Sequence, residues 1–133
     1  MLDAGLNLAI GTDATNTSDG QNMFEALRLA AYLSRIADPD PARWLSVEDV
    51  FRAATVGSAV ALGFHQAGRL DPGFAADIVF LDLRHINYVP LRAPLLQLVF
   101  AENCTRALLR TVRGRAPEGF CGVRASPAPP SGD

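Results

Sequence analysis

At 133 residues the chain has room for one ordinary domain with a real core. It is short for a complete αβ barrel, which takes roughly 200 residues or more. Its 12 basic and 14 acidic residues leave a net charge of −2, which gives no electrostatic grip on nucleic acid or on an anionic membrane surface. With no apolar run of about 18 residues and no basic-then-apolar leader, the expected setting is the cytoplasm, away from membranes. Cys104 and Cys121 are far from a C-x-x-C spacing. In a reducing compartment they read as a core thiol and a tail thiol, with a single disulfide as the alternative.

The first element is "LNLAIGT", Leu6 to Thr12, where Leu6, Leu8 and Ile10 alternate with small residues. That pattern predicts a short buried strand ending near Thr12. Ala14–Gly20 holds no large apolar residue, and its Ser, Thr, Asn and Asp side chains compete for local backbone hydrogen bonds, so a loop follows. Met23, Ala26, Leu27, Ala30, Ala31 and Leu33 then fall close to one helical face, predicting a helix from about Asn22 to Ile36. "DPDP" at 38–41 stops it, since proline disfavours helix in its predecessor and donates no backbone hydrogen bond.

Ser46 with Asp49 has the spacing of a capping box and opens a second helix through Val47, Val50, Phe51 and Ala54. Gly57 marks a break or a close contact in the small-residue run that follows, and Gly63 is the expected C-terminal cap. Pro72-Gly73 suits the middle of a type II turn, and Asp77 and Asp82 bracket an apolar strand of about five residues. "PLLQLVFA", Pro94–Ala101, reads as a short helix with proline in its first turn. Ala107–Val112 reads as a last strand. Residues 116–133 hold four prolines and three glycines with almost no apolar periodicity, the composition of a disordered tail.

The inventory for chemistry is thin. His65 and His85 are the only histidines, without an H-x-H or H-E-x-x-H spacing, and they read as ordinary surface residues. There is no G-x-S-x-G elbow, P-loop or G-x-G-x-x-G, and no H-x-E with P-C-x-x-C. Asp13 remains. In a parallel αβ layer the strand ends face the reaction space, so a carboxylate after "LAIGT" stands where such folds keep catalytic groups. The competing reading is an Asx-turn that merely ends the strand.

Three collinear motifs carry a resemblance. "GLNLAIGTDATNTSDGQNMFEALRLAAYL", "ATVGSAVALGF" and "GRLDPGFAADIVFLDL" resemble the end of the metal-dependent amidohydrolase barrel, in the branch of guanine deaminases, adenosyl-type deaminases and triazine hydrolases. The family patterns are V-x-x-G-T-D with an M-x-E-x-x-L-A helix, A-T-x-x-G-A-x-A-L-G, and G-x-L-x-P-G-x-x-A-D-x-x-x-x-D. They extend from residue 1 to about 112, in the right order and at the right spacing.

The resemblance implies an α/β fold: the last strand and helices of a (β/α)8 TIM barrel over residues 1–66, then part of a small β-sandwich over 67–115. It implies that Asp13 is the strand-eight aspartate, which touches the catalytic metal and handles the proton of its bound water. The metal would be one zinc, with iron the alternative. Asn16 and Ser18, with Asp19, would lie in the strand-eight loop within reach of substrate. The family's other ligands, an H-x-H and histidines ending strands five and six, have no counterpart here, so the resemblance implies a C-terminal fragment of a longer, homo-oligomeric enzyme, inactive by itself. After Cys104 the expected closing strand gives way to an Arg, Pro, Ala and Gly bias, as in a shifted reading frame.

Two functions of different class follow. The first is part of a hydrolase that cleaves a C–N bond, or a C–Cl bond, of a small heterocyclic substrate. The second is a non-catalytic assembly or binding domain that retains the amidohydrolase fold. A stand-alone nucleotide-binding module is disfavoured because no glycine-rich phosphate loop is present.

Overall fold

Helix α1, Met23–Ala37, begins where Asn22 accepts hydrogen bonds from the N–H groups of Phe24 and Glu25, satisfying two of the helix's unpaired donors. It ends as predicted, at Asp38, whose backbone is extended. Pro41 then opens a 3-10 turn, Pro41–Arg43. The structure, a computed structural model, describes residues 4–17, 20–75, 77–103 and 107–111. Ser18, Asp19, Cys104, Cys121 and the tail from residue 116 lie outside these.

Helix α2, Val47–Arg52, carries the capping box in both directions: Ser46 Oγ accepts from Asp49 N–H, and the Asp49 carboxylate accepts from Ser46 N–H. The chain does not break at "ATVG". It widens into a π-turn, Ala53–Gly57, and continues as helix α3, Ser58–Ala61. The close contact expected of Gly57 is present, because a Cβ there would run into the carbonyl group of Leu8. Gly63 caps α3 in the left-handed region at φ 79°. Its N–H donates to Val60 and that of Phe64 to Ala59, a Schellman motif.

Gly73, at φ 85°, takes the left-handed corner of the Asp71–Phe74 turn, closed by the Phe74 N–H to Asp71 carbonyl bond of 3.0 Å. Strands β1, Asp77–Leu81, and β2, Ala107–Thr111, then pair antiparallel, with Val79 opposite Leu109. Between them lie a 3-10 turn, Ile86–Tyr88, and helix α4, Pro94–Ala101. Gln97 ties the approach to α4: its amide oxygen accepts from Arg92 and Ala93, and its amide nitrogen donates to the carbonyls of Asn87 and Pro90.

The core forms where α1, α2 and α4 meet. Leu27, Ala31, Val50 and Val99 are buried there, with Ile10, Phe24, Leu45 and Phe100 packed around them. These positions follow the periodicity read for α1, since Leu27 and Ala31 are four residues apart on one face. Leu33, read with that face, instead lies about 120° around the helix from Leu27 and is uncovered, as is Ile36.

One expected element differs. Leu6–Thr12 does not form a buried strand: it joins no ladder among the described residues, and Leu6 remains 59% exposed. The only sheet among the described residues is β1–β2, so no barrel is formed by them. The physical reason is that a strand is defined by its neighbours. Alternating side chains supply a face, but the ladder needs a partner on at least one edge.

Gly57→Ala should destabilise the chain by about 1–3 kcal/mol, because the added methyl meets backbone rather than a movable side chain. Chemical denaturation with far-ultraviolet circular dichroism measures it. A change below about 0.5 kcal/mol would show that the Leu8 segment is free to move aside.

Candidate active site

Polar bonds fix the segment leading to Asp13 on the π-turn. The Asn7 side chain donates to Gly57 carbonyl at 2.8 Å. Ser58 Oγ accepts from Ile10 N–H at 3.1 Å and lies 2.8 Å from each of the carbonyls of Ile10 and Ala53, to either of which its single proton can be given. Ile10 thus meets Ser58 Oγ with both its N–H and its carbonyl, three residues before Asp13.

Asp13 itself sits at φ 60°, in the left-handed region that a non-glycine residue seldom enters and that Asp tolerates better than most. Its Oδ1 accepts from the N–H of Ala14 at 2.7 Å. Beyond it, Ala14–Thr17 closes into a turn in which both the N–H and the hydroxyl of Thr17 donate to Ala14 carbonyl. Asp13 and Asn16 are both exposed in this turn region. The carboxylate is therefore presented outward on an unusual backbone, with one acceptor oxygen engaged locally. The local bond is that of a turn former, and left-handed backbone at a non-glycine residue is of a kind that recurs at functional sites.

Among the described residues no group of three or more His, Cys, Asp or Glu side chains is placed to hold a metal ion. Asp13 supplies a hard oxygen donor that suits a divalent cation as one ligand of several, and nothing else described converges on it. His65 is exposed, as expected. His85 plays a structural part, its Nδ1 accepting from Asn87 N–H at the start of the Ile86–Tyr88 turn.

Sequence reasoning missed a buried polar cluster at the end of α4. Tyr88, 1% exposed, donates its hydroxyl at 2.7 Å to Glu102, 4% exposed. The other Glu102 oxygen accepts from Asn103 N–H, and the Arg28 guanidinium donates to the Glu102 carbonyl. Arg28 Nε is buried there without a hydrogen-bond partner among the described residues. The cluster clasps α1 to the end of α4. The one signal in the sequence was a carboxylate directly after the apolar run "LLQLVFA".

A profile of the amidohydrolase family matches residues 1–115. The chain belongs to the amidohydrolase family. Among its relatives, a 5-methylthioadenosine/S-adenosylhomocysteine deaminase of Pyrococcus abyssi is 36% identical over 100 residues, covering 75% of this chain and 23% of the relative. The atrazine chlorohydrolase of Arthrobacter aurescens TC1, complexed with zinc, superposes with a TM-score of 0.74 at 40% identity, over 80% of this chain and 24% of that one. An adenosine deaminase from Xanthomonas campestris with bound zinc gives 0.75 at 36% identity over the same shares. This amidohydrolase chain thus spans about a quarter of the length of the relatives it matches.

Burial, and secondly Glu102, hold the Tyr88 hydroxyl far above its usual value of about 10. The unfolded chain then loses its tyrosine proton first, so this contribution to stability is complete below about pH 10 and declines as pH rises. Tyr88→Phe should flatten that alkaline decline and cost about 1.5–3 kcal/mol at neutral pH, the range for a hydrogen bond to a charged group. Denaturation midpoints between pH 7 and 11 test both; an unchanged alkaline slope would rule Tyr88 out as its source.

Proposed function

We propose that this chain supplies the closing segment and one metal-facing carboxylate of an amidohydrolase that hydrolyses a C–N bond of a heterocyclic substrate, by deamination, or a C–Cl bond. The observation that carries the reading is Asp13, held outward on left-handed backbone three residues after the Ser58-bonded Ile10, within a chain matched to the family over residues 1–115. Residues 1–66 are the end of the barrel in this reading, with Leu6–Thr12 as its last strand once neighbours flank it. Residues 67–115 belong to a small β-sandwich.

A divalent cation, zinc by the two zinc-bearing neighbours, would supply acidification of a water toward neutral pH. Asp13 would be one of its ligands, and the further ligands come from outside the described residues. The chain's own contribution is an acceptor oxygen for a water proton, which the same carboxylate returns to the leaving group. Its Oδ1 bond to Ala14 N–H fixes one oxygen and leaves the second for that exchange. Asn16 and Ser18, in the loop after Asp13, would contact the ring. A deaminase reading is favoured by the adenosyl-type relatives and a dechlorinating one by the triazine hydrolase neighbours.

In an intact amidohydrolase carrying this segment, Asp13→Asn should lower the rate at least about 10²-fold, mostly in kcat, since it removes a proton acceptor used chiefly in the transition state. Asp77→Asn, at the edge of β1, should alter stability and leave kcat near normal. The 133-residue chain alone should show no zinc-dependent turnover, because one carboxylate does not complete a three- or four-ligand site. If Asp13→Asn keeps normal kcat with metal bound while Asp77→Asn loses it, the placement of the site on "IGTD" is wrong.

A further inference from the structure

The stretch that carries Asp13 is tethered only from its flanks. Among the described residues, no hydrogen bond joins residues 11–17 to any part of the molecule outside them. Their bonds are internal: the Thr12 hydroxyl donates to the Asp13 carbonyl, Ala14 N–H to Asp13 Oδ1, and Thr17 twice to the Ala14 carbonyl. Downstream, the next described hold is Asn22, the cap of α1. Upstream, the last hold before Asp13 is Ser58, whose Oγ accepts from Ile10 N–H at 3.1 Å and lies 2.8 Å from the carbonyls of Ile10 and Ala53.

Ser58 opens α3 directly after the π-turn. For helix formation alone, alanine would serve better at this position. What the hydroxyl adds is a bridge: one lone pair takes the Ile10 N–H, and the single proton goes to Ala53 of the turn or back to the Ile10 carbonyl. Without it the half-buried Ile10 N–H has no partner among the described residues. Only Gly11 and Thr12 stand between Ile10 and Asp13, and three Cα steps span at most about 10 Å, so a shift at Ile10 is felt at the carboxylate. Resting on the functional reading above, we propose that Ser58 is a positioning residue for Asp13. Its hydroxyl fixes Ile10, and through the main chain of residues 10–13 it sets where the Asp13 carboxylate stands for proton exchange with water. Ser58 itself touches neither substrate nor metal.

Amide hydrogen exchange in the 133-residue chain, followed by NMR, reads both the bond and its reach. Ser58→Ala should speed exchange about tenfold at Ile10 and also at Ala14, whose N–H is bonded to Asp13 Oδ1, while amides in the middle of α1 stay within about twofold. Faster exchange at Ile10 alone makes Ser58 an anchor of the segment only and overturns the positioning role. Unchanged exchange at Ile10, or equal acceleration throughout with α1 included, overturns it as well. In an intact amidohydrolase carrying this segment, Ser58→Ala should lower kcat about 10- to 100-fold, the order of loss that follows displacement of a catalytic group by about 1 Å. Added to Asp13→Asn, it should cost less than about threefold more, because the carboxylate it serves is already gone. Two losses that simply multiply overturn the proposal. An Asp13→Asn enzyme with normal kcat strikes the functional reading instead, and the exchange rates, which do not depend on turnover, tell the two failures apart.

Discussion

The backbone of Leu8 lies against Gly57 so closely that no side chain fits between them, and most of the arrangement around Asp13 depends on that contact. A helix normally keeps other backbone at a distance with its own Cβ atoms. Here the π-turn presents a glycine, and the approach brings Asn7 to the Gly57 carbonyl and Ile10 to Ser58. Gly68 meets the same turn from another side, against Thr55 and Val56. The turn is thus the hub on which the segment before Asp13 and the linker toward β1 both rest.

What the hub delivers is position. Two residues separate Ile10, whose N–H and carbonyl both lie against Ser58 Oγ, from Asp13, whose left-handed backbone turns the chain out of line. A carboxylate aimed by its main chain loses little further freedom when it engages a partner, and preorganisation of this kind is what electrostatic catalysis requires. The Tyr88–Glu102–Arg28 cluster holds α1 to the end of α4. The helix that follows the Asp13 loop is therefore anchored through Arg28, in its second turn.

The elements set by local chemistry were legible in the sequence. Asn22, Ser46 with Asp49, Gly63 and Pro72-Gly73 act within three or four residues of themselves, and each caps or turns the chain as its type predicts. The three motifs placed the chain in its family for a related reason, since they hold capping, turning and close-contact residues at fixed separations. Features that depend on distant partners were not legible. Nothing in "ATVG" announces a π-turn rather than a break, and Tyr88 and Glu102 meet across 14 residues of chain. Leu6–Thr12 was misread as a formed strand because alternation describes one strand's faces and says nothing about who pairs with its edges. Asp13 was found by its place after an apolar run; its left-handed backbone was invisible there.

The π-turn also sets a phase. Five residues, Ala53–Gly57, are wound where an α-helix would need about one fewer for the same advance. One extra residue rotates everything beyond it by about 100° around the helix axis. Val50 before the turn, Ala53 and Gly57 at its two ends and Ala59 after it are all buried. The stretch is therefore constrained in length more tightly than in composition: Thr55 and Val56 have chemical alternatives, but a chain with one residue fewer would swing Gly57 off Leu8 and point Ser58 away from Ile10.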